Sequence, residues 1–217
     1  MGVEGKQPGR RERKKQETRA RLIDAAINLV DKQGYQRTTV GQIAEAVDVS
    51  PRTVAHYFPS KDKLLLAVVD AHTAMVVDEM YRVPDGLPPL RCLLDANLAA
   101  LDRAASQNPP KAAANLASVL RTIHLSPPLQ PLAFGLRSPE LCVDLARRMN
   151  VEPDDRKVEL VVAVWSALVN IAWSGVSELW SKQDDDLRNL PPLLHGRLTE
   201  TYAQFLILTE GLVPATG

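Results

Sequence analysis

Arg52, Thr53, His56 and Tyr57 fall within six consecutive positions of this 217-residue chain, and together they supply the donors that a reader of nucleic acid needs. A guanidinium can bond guanine O6 and N7 at once, which makes Arg52, one residue past Pro51, the expected base reader. His56 follows one helical turn later and can reach either a base edge or a phosphate. Thr39, Tyr57 and Lys61 fall at helix ends, places suited to phosphate, so they are expected to position the assembly without choosing sequence. Thr39 and Pro51 are the lesser candidates. Each of these side chains also reads as a solvated surface group, so the elements that carry them matter.

The stretch Thr39 to Phe58, TVGQIAEAVDVSPRTVAHYF, reads as two short helices joined by a tight turn. Thr39 with Gln42 three residues on makes a capping box, so a helix starts there with Val40, Ile43, Ala44 and Val47 on its inner face. Asp48 and Val49 interrupt it. Ser50 is a good N-cap, and Pro51 suits the first helical position because its missing N–H would have had no intrahelical partner. Two helices with so short a connection cross steeply, in the helix-turn-helix arrangement that presents the start of the second helix to a major groove. Ile43, Val47, Val54 and Phe58 are the expected core of this unit.

The segment Leu22 to Leu65 resembles the DNA-binding domain of the TetR family of bacterial transcriptional regulators, most closely in IAEAVDVSPRTVAHYFPSKDKLL from Ile43 to Leu65. The shared features are an Ile-Ala pair opening the motif, Val-Ser before the second helix, Thr at its fourth place, Tyr-Phe at its end, and Ser-Lys-x-x-Leu starting the next helix. Two positions depart from the family pattern. Asp48 stands where Gly is usual in the turn, although Asp reaches the left-handed conformation more readily than most residues. Ala55 stands where an aromatic phosphate contact is usual.

The 26 Lys and Arg balance the 26 Asp and Glu, but unevenly along the chain: residues 1–66 carry thirteen basic against eight acidic residues, net +5, and the remainder is net −5. The basic end is the DNA-facing end. Residues 1–15, with RRERKK at their end, are expected to form a disordered basic arm, read equally as a DNA-contacting arm or a solvated tail. Residues 16–64 are expected to form the DNA-binding domain. Its first helix carries Leu22, Ala26, Leu29 and Val30 at helical spacing up to Gly34, a natural C-cap. Tyr35 is expected to pack back on the small core, and a further helix begins at Ser60.

Residues 65–217 read as helices separated by proline-rich joints, at about 89–106, 110–124, 128–135, 139–150, 154–182 and 186–212. No strand alternation, internal repeat or phosphate-binding glycine loop interrupts them, so the fold class is all-α: an N-terminal three-helix domain followed by a larger helical one. The resemblance implies that this larger region holds a small-molecule effector and that its last two helices pair with those of a second copy. Candidate lining residues are His124, Phe134, Met149, Trp165, Trp173 and Trp180, each of which also reads as plain core. Residues 112–136 carry only Arg121 and His124 as chargeable groups, which points to an apolar or acyl-like ligand.

Cys92 and Cys142 lack metal-ligand spacing and are expected as reduced thiols. No catalytic residue, metal or cofactor is expected, because HExxH, a carboxylate-rich ExxH pair, a phosphate loop and a nucleophile elbow are all missing. No membrane span or export signal is read either, giving a cytoplasmic location. The sequence therefore predicts a ligand-responsive regulator, most simply a repressor, bound to palindromic double-stranded operator DNA as a homodimer and released by a small apolar effector. A helical enzyme or a partner-binding adaptor using the C-terminal region is the alternative.

Overall fold

The computed structural model describes residues 9–106, 111–134, 138–180 and 190–210. It divides into two compact units, residues 1–67 and 68–217, with the division falling inside one helix.

The first unit holds α1 (Arg10–Gln33), α2 (Val40–Val47), α3 (Pro51–Tyr57) and the start of α4 (Lys61–Met80). α1 begins six residues before the expected Gln16, so Arg10 to Lys15, assigned from sequence to a disordered arm, are helical. The reason is local: Arg, Lys, Glu and Gln lose little rotamer freedom in a helix, and the break comes at Gly9, whose carbonyl accepts from Arg13 N–H at 3.0 Å. α1 ends as expected at Gly34, in the left-handed region at φ 85°.

The capping box of α2 is present in both directions. Thr39 Oγ1 accepts from Gln42 N–H at 3.2 Å, and Gln42 Oε1 accepts from Thr39 N–H at 2.9 Å. Asp48 closes α2 at φ 57°, ψ 54°, adopting the left-handed conformation that a glycine would otherwise supply. Leu22, Ala26, Ile27 and Val30 of α1 meet Ile43, Ala44 and Val47 of α2 and Val54 and Phe58 of α3 as the buried set.

The second unit contains the rest of α4, then α5 (Pro89–Ala105), α6 (Lys111–Leu125), a 3-10 turn at Pro127–Leu129, α7 (Gln130–Phe134), α8 (Pro139–Met149), α9 (Arg156–Trp180) and α10 (Leu190–Glu210). Pro191 and Pro192 do not delay α10; they occupy its first turn, where a missing N–H has no intrahelical partner to lose. No strand occurs among the described residues.

The body's core joins Met80 of α4, Cys92 and Leu93 of α5, Leu145 of α8, Val158, Trp165 and Leu168 of α9, and Leu198 and Tyr202 of α10. Cys92 and Cys142 are free thiols. α9 is apolar over Arg156–Ser174, at a mean hydropathy of 1.3, and only a third of that stretch is buried. Ser166, Asn170 and Ser174 interleave with its aliphatic residues.

An ion pair lies inside this core. Arg148 donates from Nε to Asp144 Oδ2 at 2.8 Å, and its terminal nitrogens bond the carbonyls of Met80, of Val83 at 3.2 Å and of Pro84 at 3.2 Å. The side chains of Asp144 and Arg148 are 1% and 4% exposed. α8 is thereby fastened to the C-terminus of α4, satisfying carbonyls that the helix end leaves open.

Candidate nucleic-acid interface and effector cavity

α3 is held by its own first turn. Ser50 Oγ accepts from Thr53 N–H at 3.1 Å, Pro51 takes the first helical position, and Ser50 Oγ lies 2.9 Å from Thr53 Oγ1. Val54 is buried on one side, while Pro51, Arg52, Ala55 and His56 are exposed. Arg52 and His56, four residues apart, therefore share the solvent face. His56 meets Tyr57 edge to face at 5.8 Å between ring centroids. Thr53 and Tyr57 are half-buried at the margins, and Thr39 is exposed at the start of α2. Ala55, between Arg52 and His56, leaves this face without an aromatic. Arg19 of α1 stacks its guanidinium 5.1 Å from the centre of the Phe58 ring, bringing a cation beside the end of α3.

Lys61 has a different occupation from the phosphate contact expected of it. Its ammonium donates to the carbonyls of Tyr35 at 2.7 Å and Thr38 at 2.8 Å, and sits 3.8 Å from the centre of the Tyr35 ring. Desolvation lowers its pKa and Asp62 opposes the shift. The Tyr35 hydroxyl donates to Asp62, and burial together with that carboxylate raises the phenol's pKa well above the ordinary range. Tyr35 is thus half-buried in a polar clasp rather than packed into the apolar core. The clasp ties the start of α4 to the turn that leads into Thr39.

In the second unit an inner cavity of about 80 Å³ is lined by His72 and Thr73 of α4, Asn97 of α5, Leu141 of α8, and Trp165, Ser166 and Trp173 of α9. His72 is 4% exposed; its Nε2 donates to Asn97 Oδ1 at 3.3 Å. Burial lowers the imidazole pKa, only partly offset by the Asn97 bond, so the ring is neutral at pH 7. A wider groove of about 500 Å³, bordered by Asp70, Ala74, Val77, Asp78, Pro139 and Glu140, meets the cavity at Thr73 and Ser138, which line both.

Among relatives, the chain is 35% identical over 191 residues to the HTH-type transcriptional regulator TcmR of Streptomyces glaucescens, an alignment that covers 84% of this chain and 82% of that one. The chain belongs to the TetR family. The family described as bacterial regulatory proteins, tetR family, matches residues 22–68. The regulator BetI of Brucella anthropi is 49% identical over 51 residues, 24% of this chain and 26% of that protein. In fold, the chain is similar to Thermus thermophilus FadR, a TetR-family repressor solved with lauroyl-CoA, at a TM-score of 0.54 and 23% identity over 92% of this chain and 99% of that one. This TetR-family chain is accordingly a DNA-binding transcriptional regulator and not an enzyme.

Of the candidate effector residues, the structure brings Trp165 and Trp173 together on the inner cavity and places His124 and Met149 elsewhere. His124 lines a separate space of about 20 Å³ with Gln130, Asn170 and Trp173. Met149 is not among the residues lining these cavities; it packs against the body's core, where an unbranched thioether fills irregular space. The side chains of Phe134 and Trp180 lie outside the described residues. Among the described residues no group of three or more His, Cys, Asp or Glu could hold a metal.

His72 and Asn97 are the lining residues that the sequence reading passed over. A signal was available in the pattern: His72 sits between Val68 or Val69 and Val76 on the apolar face of α4, and Asn97 sits between Leu93 or Leu94 and Leu101 on that of α5. Two polar residues that each break an apolar stripe invite the question of whether they meet.

Proposed function

We propose that this TetR-family regulator is a repressor that binds palindromic operator DNA as a homodimer and is released by a small, largely apolar effector. The observation that carries the DNA half is the exposed pair Arg52 and His56 on α3, opposite buried Val54 and held by the Ser50 cap. Arg52 reads a base, and His56 and Thr53 reach base or phosphate beside it. Thr39, Pro51 and Tyr57 position the helix, while Lys61 braces the turn before Thr39.

Dimerisation is supported by α9 and α10, which pack on one another and leave Leu160, Ile171, Leu206, Ile207 and Leu208 exposed at 47–73%. Exposed apolar side chains on two packed helices are covered by a second copy more readily than by water. One short reading helix also specifies too few base pairs alone, and a two-fold dimer reads two half-sites. The apolar excess of α9 is then interface rather than membrane anchor, consistent with a cytoplasmic protein. The helical extension at Arg10, Arg11, Arg13, Lys14 and Lys15 adds phosphate affinity at the DNA-facing end.

Effector and operator favour different conformations of one dimer, and each therefore weakens the other's binding by the same free energy. Selection from random genomic fragments tests the reading. It should enrich a palindrome, with binding that weakens steeply with salt and is lost on adding a metabolite extract. Failure to enrich any sequence, together with salt-independent DNA affinity, would overturn it.

A further inference from the structure

The inner cavity contains a polar atom that the protein's own hydrogen bonds leave over. His72 Nε2 is engaged by Asn97, but the other ring nitrogen, Nδ1, is buried without a hydrogen-bond partner. With the proton on Nε2, Nδ1 presents a lone pair, and a buried acceptor left without a donor is unfavourable. Both residues of the pair line the cavity, with the indole rings of Trp165 and Trp173 beside them. At about 80 Å³ the space is well below the roughly 300–1,000 Å³ of pockets that take a whole ligand. It admits one end of a molecule, while the adjoining groove of about 500 Å³ has room for the rest.

The groove carries its own chemistry. Among the described residues, Asp70, Asp78 and Glu140 border it and no lysine or arginine does. Arg103 approaches Asp78 at 3.3 Å and is shared with Glu79. The Ser138 hydroxyl bonds Glu140 at 2.7 Å and holds that carboxyl below its usual range, so it stays charged. Among the described residues, three carboxylates face the groove and repel a phosphorylated or carboxylated ligand.

We infer that the effector is an uncharged, mostly apolar molecule whose hydroxyl group donates to His72 Nδ1 in the inner cavity, and that the carboxylates of the groove reject polyanionic ligands such as CoA thioesters. This rests on the reading of the chain as a ligand-responsive regulator. It sets this chain apart from the fold neighbour that was solved with lauroyl-CoA. Asn97 is a positioning residue, fixing the tautomer that leaves the Nδ1 lone pair facing a donor.

Equilibrium dialysis of the full chain against 1-naphthol, 1-methylnaphthalene and lauroyl-CoA tests the assignment. The two bicyclic probes have nearly the same shape, and water alone would drive the methyl compound into a protein more strongly. 1-Naphthol is nevertheless expected to bind roughly three- to tenfold tighter, as one buried hydrogen bond allows. His72→Leu should erase that preference, His72→Gln should restore part of it, and Asp70→Asn with Glu140→Gln should raise the weak binding of lauroyl-CoA. The inference is overturned if the methyl compound matches 1-naphthol on the unaltered chain, a comparison that needs no variant to fold. It is equally overturned if neither bicyclic compound binds, if the preference survives His72→Leu, or if lauroyl-CoA binds more tightly than 1-naphthol. Operator binding measured on the same samples separates the two claims. Intact palindrome binding with any of these results sinks only the effector class, whereas loss of DNA binding by the unaltered chain sinks the regulator reading.

Discussion

Polar side chains do opposite work in the two units of this protein. In the DNA-reading unit most of them serve helix ends close by in sequence, Thr39 and Gln42 capping one helix and Ser50 the next, Arg52 and His56 are left to solvent, and the half-buried Lys61 is an exception that reaches 26 residues back to Tyr35. In the larger unit they are buried among apolar neighbours and reach far along the chain. Arg148 reaches back 68 residues to Met80, and His72 reaches 25 forward to Asn97. A cap that fails loses one bond that water can replace. A buried partner that fails leaves a charge or a lone pair with nothing to replace it. The difference teaches that the reading surface can change its exposed residues at little cost in stability, whereas the effector-binding body is constrained by a few buried pairs.

The sharpest way to break that contrast is through the ion pair. Arg148→Ala should destabilise the body by about 3–5 kcal/mol, because it takes one of two guanidinium partners from buried Asp144 and leaves the carbonyls of Met80, Val83 and Pro84 open, read from the denaturant midpoint. A loss near 1 kcal/mol would put this pair in the same class as a helix cap. Lys61→Ala comes next, with an expected loss of about 1.5–3 kcal/mol for a cation bonded to two carbonyls. If that variant instead kept its stability and lowered the salt slope of operator binding by about one, Lys61 would be a phosphate contact after all.

Arg52→Ala should leave the unfolding midpoint unchanged and cost about 1–3 kcal/mol of operator affinity, concentrated at one base position. Ser50→Ala should cost about 1 kcal/mol of stability through loss of the α3 cap.

Acid sharpens the comparison further. Burial alone would raise the Asp144 carboxyl, but the bonds from Arg148 and Arg147 outweigh it and hold the group below its usual range. Its contribution is therefore present above the unfolded value of about 3.9 and lost as pH falls through the lower folded value. His72 also titrates lower when folded, so its contribution is present above about pH 6.5 and declines below it as the unfolded chain takes up protons. Urea midpoints measured between pH 7 and 5 should fall in the unaltered chain and fall less in His72→Leu.

The head was legible because its signals are local. Thr39 with Gln42, Ser50 with Pro51, and Gly34 after an apolar stripe each specify a helix end within four residues, and Asp48 took the left-handed turn in place of glycine. The start of α1 is not legible because a run of charges reads as solvated chain, while the same long side chains favour a helix. The carbonyl bonds of Lys61 were not legible, because position at a helix start says nothing about carbonyls 23 and 26 residues away. Trp165 and Trp173 were placed on the cavity by composition alone, yet Met149 shared that reasoning and lies elsewhere.

Sequence by itself determined the helical succession, the capped reading helix and the family, because each depends on residues within a turn or two of one another. Tertiary structure alone decided that His72 meets Asn97, that Asp144 and Arg148 close on the end of α4, and that a carboxylate-bordered groove opens onto a neutral cavity. The bonds from His72 to Asn97 and from Arg148 to Met80 join residues 25 and 68 positions apart, and only the packing of α4, α5 and α8 brings them within bonding distance.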